Sequence, residues 1–279
     1  MSSDLIEKYC DYVKCLSTFK KKKLEHVRIS TYNVNLWKNY LSKSNFDALL
    51  NTIIDINADI MCLNEALFSG DLKNKFINKM HTAGYQFIKM CNDKYGINII
   101  MSKYEIISSK IILLKKDKTT KYGIQRYALL CDVKINNIII KILSTHLDVF
   151  DNTEQTRLSQ IMQIIDHIDD DTIIVGDLNS LHKNDYTDDG WLAICNVDKE
   201  RNVETRTFVT EYLTKNDFKD VFHLKQTKLN SLTTVWSMRR VDYMLIRPTF
   251  FLHKIKKCQV YPSIASDHLS LSIDIKIAV

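Results

Sequence analysis

Short apolar runs recur through this chain, and several of them end or begin on an acidic, amide or imidazole residue. Val27–Asn33 closes on Thr31-Tyr32-Asn33, and Ile60–Leu63 runs into Asn64-Glu65. Ile138–Thr145 ends at His146, and Thr172–Val175 leads into Gly176-Asp177-Leu178-Asn179. Val241 precedes Asp242. Ser266-Asp267-His268 opens a final run in which Leu269, Leu271, Ile273, Ile275 and Ile277 alternate with Ser270, Ser272, Asp274 and Lys276. Runs this short and this rich in Ile, Val and Leu read as strands. Strands that finish in functional groups fit a fold whose strand ends gather at one edge, as a polar cup on a rigid base.

The remaining periodicity supplies the frame. Residues 85–91, 97–101, 104–114, 126–135, 138–145 and 255–261 also read as strands. Phe46, Leu49, Leu50 and Ile53 share a helical face, as do Leu158, Ile161, Ile165 and Ile168, and 206–215 reads as a helix. Many consecutive strands are close enough for hairpins, so the sheets should be mixed. The expected fold is α/β (α+β): a four-layer sandwich of two mixed β-sheets packed face to face and flanked by helices. Only 6 Gly and 2 Pro are present, and no linker or repeat divides the chain. One domain is expected over 27–279. It follows a helical, Lys-rich extension over 1–26, in which Leu5, Ile6, Tyr9, Val13 and Leu16 fall on one face. The run Lys20–Lys23 reads either as a solvated connector or as a basic arm for a nucleic-acid backbone.

Composition narrows the class. Seven cysteines without a CxxC pair read as reduced thiols of an intracellular protein. No stretch reaches the roughly 20 apolar residues of a membrane span, and no secretory signal is evident. The net charge of +6 is compatible with a polyanionic partner without requiring one.

Carboxylates, amides and two histidines at strand ends suit phosphoester hydrolysis. A hard cation such as Mg²⁺ takes oxygen ligands. Hydrolysis needs a base for the water and charge stabilisation at the phosphoryl oxygens. Taken singly, Asn33 reads as a turn residue, Glu65 as a surface carboxylate, His146 as a satisfied histidine and Ser266-Asp267-His268 as a cap. Their joint occurrence in this order is what singles them out.

In that order the sequence resembles the endonuclease/exonuclease/phosphatase superfamily. The matching segments are Ser30–Asn33, Cys62–Glu65, Tyr95–Asn98 through Met101–Lys103, Ser144–Leu147, Gly176–Asn179, Arg240–Tyr243 and Ser266–His268. The resemblance implies metal-site roles for Asn33, Glu65 and Asp267, with Mg²⁺ as the cofactor and Mn²⁺ as a substitute. It implies that Asp177 orients or deprotonates the attacking water, with Asn179 as its partner. It implies that His268 touches the scissile phosphate while Asp242 holds its ring, and that His146 is a second phosphate-side histidine. There are two departures. Asn64 stands where Gln is usual, shortening a side chain beside the metal. Asn35 stands where nuclease branches often carry aspartate.

The expected activity is metal-dependent hydrolysis of phosphodiesters, with nucleic acid as substrate and a monomer as the working form. Trp236, Arg239, Arg240 and Tyr186 flank the catalytic strand ends and are the expected substrate contacts, since aromatic rings beside cations suit bases and phosphates. Trp191 and Trp236 read equally as core. Two alternatives stay open: a phosphatase or phospholipase on inositol phosphates or sphingomyelin, and an inactive binding module.

Overall fold

The computed structural model describes residues 3–16, 19–91, 98–116, 125–225, 232–247 and 254–277. The first half of the chain runs α1 Ser3–Cys15, β1 His26–Asn33, α2 Phe46–Ile56, β2 Ile60–Asn64, α3 Leu72–Thr82, β3 Phe87–Met90, β4 Ile99–Ser102 and β5 Glu105–Leu113. There follow β6 Tyr127–Ile135, β7 Ile138–His146, α4 Gln155–Ile165, β8 Thr172–Asp177, α5 Asp188–Glu200, α6 Phe208–Lys215 and β9 Lys219–Asp220. The last elements are α7 Val221–Lys225, β10 Asp242–Ile246, β11 Ile255–Tyr261 and β12 Ser270–Lys276.

The strands form two six-stranded mixed sheets, ordered β11-β12-β1-β2-β4-β3 and β5-β6-β7-β8-β10-β9. This is the two-sheet sandwich that the strand pattern predicts. The sheets meet through Val27, Ile29, Ile60, Cys62 and Leu271 on one side and Leu129, Cys131, Ile142, Ile173 and Val175 on the other, all buried. Outside the first sheet, α2 buries Leu49, Leu50, Ile53 and Ile56 at helical spacing, and it stops where Asn57 turns left-handed at φ 49°. Outside the second sheet, Ile161 and Ile164 of α4 and Val209 and Leu213 of α6 close a further core.

β12 is covered on both faces, although its alternation suggests one solvated face. Asp274 is buried against Arg28, whose Nε donates to its Oδ1 at 2.7 Å. Beside this pair the Ser30 and Ser272 hydroxyls share a hydrogen bond of 2.7 Å. The segment 20–23 crosses this polar ladder. Arg28 Nη2 donates to Lys20 O at 2.9 Å, and Lys22 pairs with Asp59. The lysine run is therefore partly a strap over buried charge. α1 is likewise no detached arm: Tyr9 and Val13 are buried in the inter-sheet core.

Candidate active site

Strand direction gathers the polar ends. β1 and β2 run parallel with Asn33 opposite Asn64, and β12 runs antiparallel to β1, so its lead-in 266–268 lies at the same edge. In the other sheet β7 and β8 run parallel with His146 opposite Asp177, and antiparallel β10 sets Asp242 opposite Asp177. Two half-sites, one from each sheet, therefore face each other.

Contacts join the halves. Asn33 Nδ2 donates to Asp177 Oδ2 at 3.0 Å and to Glu65 Oε1 at 3.2 Å. Asn64 joins the halves as well. Its Nδ2 donates to Asn98 Oδ1 at 2.8 Å and its Oδ1 accepts from Asp177 N at 3.3 Å. The short amide thus bridges the sheets behind the site. Gly176 makes this approach possible: at φ +132° a Cβ there would lie 2.0 Å from Thr145 O and 3.1 Å from Asn64 Oδ1. Glu65 and Asn179, directly beyond strand ends, both sit at positive φ (57° and 47°), a region few non-glycine residues occupy.

Asn179 N donates to Asp177 Oδ1 at 2.9 Å, and its side chain donates to Leu147 O at 3.2 Å. Asp242 Oδ2 holds His268 Nδ1 at 2.8 Å, leaving His268 Nε2 3.8 Å from Asp177 Oδ2. Ser266 secures this lead-in: its hydroxyl donates to Asn33 O at 2.8 Å and accepts from His268 N at 3.2 Å. Asp267 follows Ser266, and its carbonyl accepts from Trp236 N at 2.8 Å.

His146 has a defined tautomer. Arg126 Nη1 lies 3.2 Å from its Nδ1. A guanidinium only donates, so Nδ1 accepts and the ring proton sits on Nε2. That Nε2 lies 3.7 Å from Glu65 and 3.6 Å from Asp177. Burial, then Arg126, holds His146 well below the ordinary histidine range, so it is a neutral donor.

The electrostatics expose a charge deficit. Burial raises Glu65 and Asp267 above ordinary carboxyl values. Burial first and Asp242 next push Asp177 up to about 7. Burial alone would lower His268, but Asp242, Asp267 and Asp177 outweigh it and hold the imidazolium well above its usual range. Four carboxylates thus face one imidazolium. Asp177, Asp242 and His268 place ligand-type atoms within 4.8 Å of one another, but Asp242 and His268 already engage each other at 2.8 Å, which leaves the surrounding carboxylates as the oxygen donors for a cation. Hard oxygen donors with surplus negative charge match what a divalent cation takes.

One expected substrate contact, Arg240, needs correction. Arg240 is fully enclosed, its Nη1 2.7 Å from Asp185 Oδ1 and its Nη2 2.5 Å from Asp220 Oδ2. A guanidinium consumed by two buried carboxylates cannot reach substrate. Arg239 is paired with Asp198 at 2.5 Å. Tyr186 lies beside Trp191 at a ring-centroid distance of 5.8 Å, and its hydroxyl accepts from Arg240 N at 2.8 Å, fixing the loop. Trp236 is half-buried against the inter-sheet core, with its backbone on Asp267.

A second cluster, His182, Asp185 and His223, also has metal-type ligands within 4.8 Å of one another. Its acid is already satisfied: Asp185 accepts from Arg240, takes Tyr243 Oη at 3.1 Å and touches His223 Nε2 at 2.5 Å. It buttresses the base of β10. Sequence reasoning misses these partners, and Arg126 with them, because only the strand register brings them together.

A model of the Endonuclease/Exonuclease/phosphatase family matches residues 30–268, and the chain belongs to that family. Its members are generally hydrolases of phosphodiester bonds, and they generally use divalent metals. Solved structures share the fold at low identity. An endonuclease/exonuclease/phosphatase from Beutenbergia cavernae DSM 12333 has TM-score 0.67 and 16% identity, over 92% of this chain and 72% of that one. The human Nocturnin catalytic domain with bound sulfate has TM-score 0.61 and 16% identity, over 91% and 95%. D. rerio TDP2 complexed with single strand DNA product has TM-score 0.61 and 16% identity, over 90% and 99%. No curated protein matches the chain. Among the described residues no helix is long and apolar enough to cross a membrane.

Proposed function

We propose that this protein is a Mg²⁺-dependent phosphodiesterase acting on nucleic acid or a nucleotide-linked phosphodiester. The observation that carries the reading is Asp177. One buried carboxylate lies within 3.0 Å of the Asn33 amide and 3.8 Å of the His268 imidazole. Glu65, Asp267 and Asn33 would hold the cation, which Mn²⁺ can replace. When bound, it supplies charge stabilisation at the phosphoryl oxygens and draws Glu65 and Asp267 into their ionised forms.

The chain's own groups then divide the work. Asp177, oriented by Asn33 and the Asn179 amide, takes a proton from the attacking water as the new P–O bond forms. His268, kept protonated by Asp242, donates from Nε2 to a phosphoryl oxygen. His146 offers its Nε2 proton to a second one without changing charge. The far P–O bond breaks with its electron pair going to the leaving oxygen, which takes a proton from solvent water, and Asp177 returns its own proton to solvent. Trp236 borders this edge through Asp267 and offers a ring for a base. A neighbour's complex with a DNA product supports that substrate class.

The test is a hydrolysis screen with Mg²⁺ on single- and double-stranded DNA, RNA, phosphotyrosyl-DNA, sphingomyelin, inositol phosphates and bis(p-nitrophenyl) phosphate. Cleavage should stop in chelator and return with Mg²⁺. Trp236→Ala should weaken nucleic-acid cleavage and leave the small diester nearly unchanged. Turnover of sphingomyelin or inositol phosphates alone would overturn the substrate class, and full activity in chelator would overturn the metal.

A further inference from the structure

Residues 3–15 lie outside the family match, yet α1 reaches the scaffold of the site at two places. The first contact runs through Tyr12. Its hydroxyl accepts a hydrogen bond from Thr233 N at 3.1 Å, across 221 positions of sequence. The next residue, Thr234, is fully buried and holds both sides of the His268–Asp242 pair. Thr234 Oγ1 accepts from Val241 N at 3.1 Å and from Asp242 N at 3.2 Å. Its carbonyl accepts from Leu269 N at 2.7 Å, one residue beyond His268. Two residues further on, Trp236 N holds Asp267 O.

The second contact runs through Tyr9. Its ring is wholly buried and lies 6.3 Å from that of Tyr40. Tyr40 follows Asn39, whose carbonyl accepts from Asn35 Nδ2 at 3.3 Å. Asn35 N in turn holds Asn33 Oδ1 at 2.9 Å. α1 therefore grips the segment leading away from Asn33 and the segment leading into Asp242.

We infer that α1 is a positioning element of the active site, and that Tyr12 is the positioning residue through which it sets the His268–Asp242 pair. This rests on reading that pair as catalytic. A fixed acceptor on Thr233 N holds the turn that carries Thr234, and Thr234 spaces Asp242 from His268. Misplacement of a reacting group by about 1 Å can cost up to ~10²-fold in rate. A mere packing helix would lack this dependence on one hydroxyl.

The experiment compares full-length Tyr12→Phe with Val13→Ala. The first removes the hydroxyl and keeps the ring. The second removes buried apolar volume from the same helix and touches no site segment. With Mg²⁺ and bis(p-nitrophenyl) phosphate, Tyr12→Phe should lower kcat by about tenfold with KM within about twofold. Val13→Ala should lower Tm and leave kcat in place. A readout independent of turnover accompanies this: the downfield NMR signal of the His268 Nδ1 proton and the hydrogen exchange of the Val241 and Asp242 amides. In Tyr12→Phe the first should broaden or shift, and the second should accelerate. An unchanged Nδ1 signal with unchanged exchange overturns the inference, as does an equal kcat loss in Val13→Ala. A wild-type protein without turnover defeats the catalytic reading, while the NMR and exchange results still decide whether Tyr12 sets the pair.

Discussion

Asp177→Asn separates the electrostatics of the site from its chemistry. The folded protein pushes this carboxyl from 3.8 to about 7. An acid whose folded pKa lies above its unfolded value binds its proton more tightly when folded. Stability is therefore lost as pH rises from the lower value through the higher. At about 1.36 kcal/mol per unit, holding Asp177 ionised costs on the order of 4 kcal/mol above both values, and roughly 2 kcal/mol near about pH 5. The amide carries no such cost. It does place a donor among groups that already donate, since Asn33 Nδ2 and Asn179 N approach this carboxylate at 3.0 and 2.9 Å. That mismatch costs roughly 1–3 kcal/mol at any pH. In chelator, the stability of D177N relative to the unsubstituted protein should improve by roughly 2–3 kcal/mol between about pH 5 and about pH 8.5. Urea unfolding in EDTA at both pH values measures this. Mg²⁺-supported hydrolysis, followed in parallel, should fall by about 10²–10⁴-fold, because an amide takes no proton from water. A stability difference that stays flat with pH, or moves the other way, would refute the reasoning.

Two further outcomes follow from the same map. Above about pH 6.5 the metal-free protein should lose stability as Asp177 finishes ionising and His268 gives up the proton that Asp242 helps it keep, while His146 is neutral in both folded and unfolded chains there. The gain in Tm from Mg²⁺ over EDTA should therefore be larger at about pH 8.5 than at about pH 6, and equal gains would count against the charge deficit. Arg240→Met should cost about 3–5 kcal/mol by stranding Asp185 and Asp220, with KM unchanged in the surviving folded fraction. A normal Tm with a raised KM would return Arg240 to the substrate.

Much of the fold was legible because the buried strands advertise themselves. Ile60–Leu63 and Thr172–Val175 are continuous apolar runs, and β12 alternates cleanly. The helices that escaped notice have little apolar stripe to show. α3 buries only Phe76 and Met80, and α5 buries only Asp198 while Leu192 is 59% exposed. The candidate catalytic residues could be picked out at strand ends. Their supports could not. Arg126 reaches His146 through the β6–β7 register, which sets Ala128 opposite Thr145. Arg240 misled for the opposite reason: standing two places before Asp242, it faces the interior rather than the pocket.

Strand order also sets a timetable. Among the described residues β1 is the first strand, and it pairs with β2 on one side and on the other with β12, the last strand; Arg28 and its partner Asp274 are 246 positions apart. Until β12 is synthesised, β1 offers an open edge and a buried-type arginine with no acid, both of which invite wrong pairing. The same late arrival delivers His268. A nascent chain thus holds Asn33 and Asp177, the groups proposed to orient the water, long before His268. On the proposed mechanism, a ribosome-bound fragment lacking residues 266–276 would expose the edge of β1 and have no His268.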